Sequence, residues 1–179
     1  MVRDTRGTAT PYPRPIRWLH WLMALLVAAG ACVALLREEV SGRALRLWLL
    51  EGHRHIGLLV LLLIAVRLAL RLTLRGAPPV PMPTFLHICA GVTHVLLYAL
   101  LLAMPLLGWA LSSAADQTIH FFGFTLPHIV AADDDLADRL QAWHVDVAWV
   151  LLGVACLHAG AALWHHVVRR DGVLRRMWP

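Results

Sequence analysis

Residues 142–166 read AWHVDVAWVLLGVACLHAGAALWHH. This apolar run is long enough to cross a bilayer as a helix, since about 20 residues span the hydrocarbon core. It contains His144 and His158, fourteen positions apart. In a helix that spacing places them about 21 Å apart along the axis and within about 40° of whole turns, so both imidazoles leave one face. Ionisable groups in a membrane span predict a functional site, and these two indicate two stacked cofactors.

The composition predicts an integral membrane protein. Of the 179 residues, 59% are hydrophobic, and the mean hydropathy is +0.65, whereas soluble domains average about 45–50% apolar residues. The net charge of +5 comes from arginine, because the chain has no lysine. Next to such long apolar runs, the arginines indicate membrane topology and no nucleic-acid partner. The cysteines, Cys32, Cys89 and Cys156, form no CxxC pair and predict small apolar core residues without disulfides.

Four apolar segments are each long enough to span a membrane, at about 16–36, 47–74, 85–111 and 140–168. Backbone groups in lipid need internal partners, so these segments are predicted to be helices. Their connections are short, which favours an all-α, antiparallel up-down bundle of four helices. We expect residues 1–179 to form this one domain, without a cleavable signal, because the first apolar run exceeds the length of a signal sequence.

The arginines also predict an orientation. Most of them fall on one side of the predicted bundle: Arg3, Arg6, Arg14, Arg17, Arg67, Arg71, Arg75, Arg169, Arg170, Arg175 and Arg176. The positive-inside rule therefore predicts that both termini lie in the cytoplasm. On the outer side, the connection 112–139 contains an apolar stretch too short to span, which we expect to be an interfacial cap or an ordinary loop. Pro105 is expected to kink the third helix, because it removes a backbone donor.

Four histidines form the candidate site. His20 lies near the inner end of the first helix and His53 near the outer start of the second, and in an antiparallel bundle their depths match those of His158 and His144. Two histidines on facing helices can hold a haem iron axially, and such a haem transfers electrons. The pattern therefore predicts two haems across the membrane. The alternative, four buried histidines hydrogen-bonded to neighbouring helices, does not account for the paired depths.

Two further polar residues lie at the depth of the inner pair. Arg67 follows His53 by fourteen residues, which places it on the haem-facing side. Haem propionates would supply the partner that a buried arginine needs, although its side chain can instead snorkel to the interface. His94 lies at about the level of His20, and three roles stay open for it: an alternative inner ligand, a proton or quinone contact, or a packed polar residue.

Residues 12–178 contain a series of short motifs. They are RWLHW at 17–21, GH at 52–53, MPLLGW at 104–109, WH at 143–144, His158, and ALWHHVVRRDGVLRRM at 162–177. Together with His94, this pattern resembles the bacterial cytochrome b561 family. The resemblance implies a four-helix cytochrome of the bacterial inner membrane with two haem b groups. It also implies that His20 and His158 ligate the cytoplasmic haem, and that His53 and His144 ligate the periplasmic haem.

The resemblance further implies a reaction. Similar family members are superoxide oxidases: superoxide gives its electron to the haems, and ubiquinone is reduced to ubiquinol. The outer arginines Arg43, Arg46 and Arg54 could attract the anionic radical. The acidic residues among them, Glu38, Glu39, Glu51 and residues 133–135, oppose this attraction. Quinone, membrane lipid and superoxide are therefore the expected partners.

Two other functions stay open on the sequence. The chain could be the membrane-anchor cytochrome b subunit of a larger dehydrogenase or hydrogenase, with a protein partner docked on the loop 112–139. It could instead be a zinc or proton transporter without haem. Zinc needs about four ligands around one ion, a requirement that histidines at two separated depths meet poorly.

Overall fold

A computed structural model describes residues 10–74, 78 and 81–178. Within these residues the chain forms four long helices: α1 (Arg14–Glu39), α2 (Arg43–Thr73), α3 (Thr84–Ala114) and α4 (Asp134–Trp164). Each is long and apolar enough to cross a membrane. The predicted all-α, four-helix membrane bundle is confirmed. Arg3, Arg6 and Arg75 lie outside the described residues.

Polar residues extend the helices beyond the apolar runs that predicted them. The Asp133 side chain caps α4 by accepting a hydrogen bond from the Leu136 amide at 2.8 Å, and acidic residues at the first turn favour the positive end of the helix dipole. The helix α4 therefore begins at Asp134, six residues before the predicted start. At the other end of the chain, Pro15 fits the first turn of α1 because its fixed φ suits a helix start. The third helix continues through Pro105 to Ala114.

The helices pack as two neighbouring pairs. The helix α1 packs along α2, α3 packs along α4, and α2 also contacts α3. Among the described residues, the backbone of α4 makes few close approaches to α1 or α2, which leaves room for groups between them. Large apolar side chains point outward, as they do where lipid replaces water. All three cysteines are free and exposed, so their predicted place in the core is wrong.

The connection 112–139 folds over one end of the bundle. It contains two antiparallel strands, β1 (Ile119–Phe121) and β2 (Phe124–Leu126). Phe122 and Gly123 join them with φ values of 46° and 88°, as a tight hairpin turn requires. Trp109 of α3 donates from Nε1 to the Pro127 carbonyl at 3.0 Å. These contacts agree with the predicted cap and show a hairpin that the apolar pattern did not predict.

The carboxyl-terminal segment covers the opposite end. A π-helical turn, His165–Arg169, follows α4 and leads to a short 3₁₀ helix, Leu174–Met177. Trp21 of α1 donates from Nε1 to the Met177 carbonyl at 2.7 Å. The buried Arg176 donates to the Thr10 carbonyl at 3.1 Å. The segment is thereby held against the start of α1.

Candidate cofactor sites

The structure brings the four predicted histidines together in two pairs. In the inner pair, His20 of α1 faces His158 of α4, and their ring centroids are 6.1 Å apart. In the outer pair, His53 of α2 faces His144 of α4, also with centroids 6.1 Å apart. These are the pairs that the sequence predicted from matching depths. Their names follow the predicted cytoplasmic and periplasmic sides.

This separation suits two imidazoles on one metal ion. A metal–imidazole bond is about 2 Å and the ring nitrogen lies about 1 Å from the centroid, so two trans imidazoles have centroids roughly 6 Å apart. The ring planes meet at 82° in the inner pair and 75° in the outer pair. Axial ligation tolerates such angles, because each ring can rotate about its metal–nitrogen bond.

The alternative of four hydrogen-bonded histidines fits only one of these side chains. Among the described residues, only His53 of the four makes a side-chain hydrogen bond, in which its Nδ1 and the Gly30 carbonyl oxygen are 3.0 Å apart. A carbonyl accepts only, so Nδ1 carries the proton and Nε2 keeps its lone pair for a metal. Gly30 is itself buried on α1. The contact therefore leaves His53 Nε2 available to a metal.

His144 has an unsatisfied ring nitrogen. Its Nδ1 is buried without a hydrogen-bond partner among the described residues, an arrangement that is unfavourable in the protein alone. On α3, a Cβ added to Gly108 would lie 3.2 Å from His144 Cε1. Glycine at position 108 therefore leaves the space in which the His144 ring stands. Sequence reasoning missed this role, although Gly108 is part of a motif that carried the resemblance.

A cavity of about 580 Å³ adjoins the outer pair. Its lining is mostly apolar and includes small residues from all four helices, such as Ala34, Gly57, Pro105 and Ala148. Cofactor pockets commonly have this size and character, with a few polar groups that fix orientation. The two imidazoles, the unsatisfied His144 nitrogen and the apolar walls fit a flat porphyrin. Sequence reasoning also missed that Arg37 lines this cavity.

The inner site holds a third imidazole. The His94 ring of α3 lies with its centroid 5.3 Å from that of His158, closer than the His20 ring. The separation of roughly 6 Å between trans imidazoles is met better by His20 than by His94. The described residues contain no group of three or more histidine, cysteine or acidic side chains arranged to hold one metal ion. The arrangement therefore does not favour a zinc site.

Arg67 is buried near the inner end, with only 8% of its surface exposed. Its Nε donates to the Tyr98 hydroxyl at 3.2 Å, and its Nη1 donates to the Ile16 carbonyl at 3.4 Å. The guanidinium therefore has protein partners on α3 and at the start of α1. A guanidinium has five N–H donors, so these contacts leave others for a carboxylate. Contact with a haem propionate stays a prediction.

Known proteins resemble this chain over most of its length. A family model described as "Prokaryotic cytochrome b561" matches residues 11–179. "Probable superoxide oxidase CybB" of Yersinia pestis is 35% identical over 162 residues, which cover 90% of this chain and 92% of that protein. "Cytochrome b561 homolog 1" of Escherichia coli (strain K12) is 31% identical and covers 90% and 93%. "Cytochrome b561 homolog 2" of the same strain is 29% identical and covers 88% and 86%.

Proposed function

Because this chain belongs to the prokaryotic cytochrome b561 family of membrane electron-transfer proteins with b-type haem, we propose that it holds two haems and passes electrons between them. His20 and His158 ligate the inner haem, and His53 and His144 ligate the outer haem. One observation carries the proposal: two imidazole pairs with the same 6.1 Å separation lie fourteen residues apart along α4. Each separation suits one bis-imidazole iron.

Three of the helices supply the ligands. The last helix, α4, supplies one imidazole to each site, while α1 and α2 supply the opposite ligands. When bound, each haem iron accepts and releases one electron at a time. Because two helices would each supply an imidazole to a site, substrates would exchange electrons with the bound haem and would not ligate its iron. The Gly30 carbonyl keeps His53 in the tautomer that ligation needs.

We propose superoxide as the electron donor and ubiquinone as the acceptor. The support is the name of the Yersinia pestis relative, a probable superoxide oxidase that is 35% identical. Two superoxide radicals each lose one electron and become dioxygen. One ubiquinone takes these two electrons and two protons and becomes ubiquinol.

The charges at the outer end oppose strong electrostatic attraction of superoxide. Arg54 pairs with Glu51 at 2.6 Å, and Glu38 lies 3.1 Å from Arg37 and 3.8 Å from Arg46. These carboxylates compensate part of the positive charge of the outer arginines, which the sequence analysis expected to attract superoxide. We therefore expect the rate with superoxide to depend only weakly on salt, since screening acts on uncompensated charge.

Haem quantification tests the dihaem proposal. The purified protein should contain two haem b per chain and show b-type bands in the reduced-minus-oxidised spectrum. A single haem, or a colourless protein, would refute the proposal. A second assay follows ubiquinol, which should form when superoxide is supplied and should stop forming when superoxide dismutase removes the superoxide. If no ubiquinol forms, the superoxide assignment is lost and the two haems remain.

We also propose that both termini face the cytoplasm, as the arginine distribution predicts. Fusions at the carboxyl terminus test this orientation: a green fluorescent protein should fluoresce, and an alkaline phosphatase should be inactive. The opposite result would invert the assignment of the inner and outer sites.

The named relatives do not favour the anchor-subunit alternative, which predicts co-purification with a catalytic protein.

A further inference from the structure

Two arginines line the cavity beside the outer pair. Arg37 comes from the last turn of α1, and Arg54 comes from α2 directly after His53. Their side chains are only 33% and 11% exposed. In each of them the Nε atom is buried and has no hydrogen-bond acceptor among the described residues. A buried charged donor without an acceptor is unfavourable, so we expect an acceptor next to each Nε.

The other contacts of these guanidiniums are already made. Arg37 donates from Nη1 to Glu38 Oε1 at 3.1 Å. Arg54 donates from Nη1 to Glu51 Oε1 at 2.6 Å, and from Nη2 to the Gln117 side-chain oxygen. These bonds restrict the orientation of each planar group. In both arginines, Nε is the buried donor that still needs an acceptor.

Arg37 also lies on the side of His53 that faces the outer end of the bundle. Arg37 follows Gly30 by seven residues, which is about two turns and roughly 10 Å along the same face of α1. The Gly30 carbonyl holds His53, so Arg37 lies beyond the ligand in the direction of the helix end. Charged groups of a membrane cofactor are most stable toward that end, near water.

We infer that Arg37 and Arg54 bind the two propionate carboxylates of the outer haem, one arginine for each carboxylate. Guanidinium–carboxylate hydrogen bonds are charge-assisted, and arginine suits them better than lysine does. The inference rests on the proposed dihaem function. It gives Arg54 a role in holding the cofactor and not in attracting superoxide, and it assigns Arg37 a role beyond topology.

The redox potential of each haem tests this inference. Arg37→Gln and Arg54→Gln should each lower the midpoint potential of the outer haem, because a nearby cation favours the reduced, less positive iron. The double variant should lower it further and should release the outer haem to apomyoglobin about tenfold faster or more, as expected when charged hydrogen bonds are lost. The inner haem should keep its potential. Arg43→Gln, at an exposed arginine of the same end, should change neither haem.

Two further variants separate binding from structural effects. Gln117→Ala removes a contact of Arg54 without removing its charge and should leave the outer potential nearly unchanged. If Arg54→Gln does not fold, Arg37→Gln alone decides, because its partner Glu38 is exposed. The inference is overturned if folded Arg37→Gln shifts the outer potential no more than Arg43→Gln, or if both haems shift equally. Haem content of the unaltered protein is measured first, so a failure of the dihaem proposal is seen separately.

Discussion

The helix α4 contributes one imidazole to each of two pairs, and the two pairs have different surroundings. The outer pair stands beside an apolar cavity of about 580 Å³, and its His53 is held by a backbone carbonyl of α1. Beside the inner pair lies a third imidazole, His94, whose ring centroid is 5.3 Å from that of His158. The comparison shows that α4 sets the depth of each site, while the neighbouring helices decide which other polar groups surround it.

The largest expected effect tests whether the two sites are separate. His144→Ala should lose the outer haem and His158→Ala the inner haem, so that haem content falls from two per chain to one in each variant. The physical reason is that each iron loses an axial ligand from α4. Haem quantification with low-temperature spectra identifies which haem remains. Loss of both haems from either single variant would show that the sites depend on each other.

The inner site offers a sharper choice between two imidazoles. His20→Ala should lose the inner haem, whereas His94→Ala should keep it, because the 6.1 Å separation of His20 from His158 suits trans ligation better than 5.3 Å does. Electron paramagnetic resonance of the oxidised protein should show an unchanged low-spin signal for the inner haem in His94→Ala. Equal haem loss from the two variants would overturn the ligand assignment.

Arg67 distinguishes the inner site by a buried positive charge. Arg67→Gln removes its bonds to Tyr98 and Ile16 and should reduce stability by about 1.5–3 kcal/mol, the usual range for hydrogen bonds to charged groups. It should also lower the potential of the inner haem. Arg71→Gln is the matched control: Arg71 is exposed, and its guanidinium lies 5.8 Å from the centroid of the same Tyr98 ring, a contact worth about 0.5–1 kcal/mol.

A thermal unfolding series and a redox titration measure both quantities. If Arg71→Gln lowers the inner potential as much as Arg67→Gln does, the buried position of Arg67 has no special part in the inner site.

The smallest expected effect concerns Gly108 at the outer site. Gly108→Ala would place a Cβ 3.2 Å from His144 Cε1, so the ring must shift by a few tenths of an ångström. We expect the outer haem to be retained with altered low-spin resonance and a destabilisation of about 1 kcal/mol relative to Gly91→Ala, at the lower end for overpacking. Gly91→Ala on the same helix is the control, because no described atom beyond its chain neighbours and the nearby backbone of α3 comes within 4 Å of the added carbon. Identical spectra for the two variants would remove this role of Gly108.

Part of the site could be predicted because it depends on spacing along single helices. The fourteen-residue interval between His144 and His158 determines their depths and common face, whichever helices lie opposite. Antiparallel packing then matches each of them with one histidine on an earlier helix. The pairing of depths therefore followed from the chain order, and the structure shows rings 6.1 Å apart in both pairs.

Other features depend on details that the hydropathy of the sequence does not show. The start of α4 depends on the Asp133 cap and not on apolar residues. The cysteines could not be placed by hydropathy, because apolar residues face both lipid and interior in a membrane helix. The hairpin in the connection 112–139 depends on a turn at Phe122 and Gly123.

The sequence by itself determined four membrane spans and two levels of paired histidines, because hydrophobic length and helical periodicity are local properties. Only the tertiary structure decided that His94 joins the inner pair, that Gly108 lies against His144 and that Arg37 reaches the outer cavity. These neighbours depend on how each helix is rotated about its axis. In lipid that rotation is set by close packing between helices, since hydropathy barely distinguishes the lipid-facing side from the buried one.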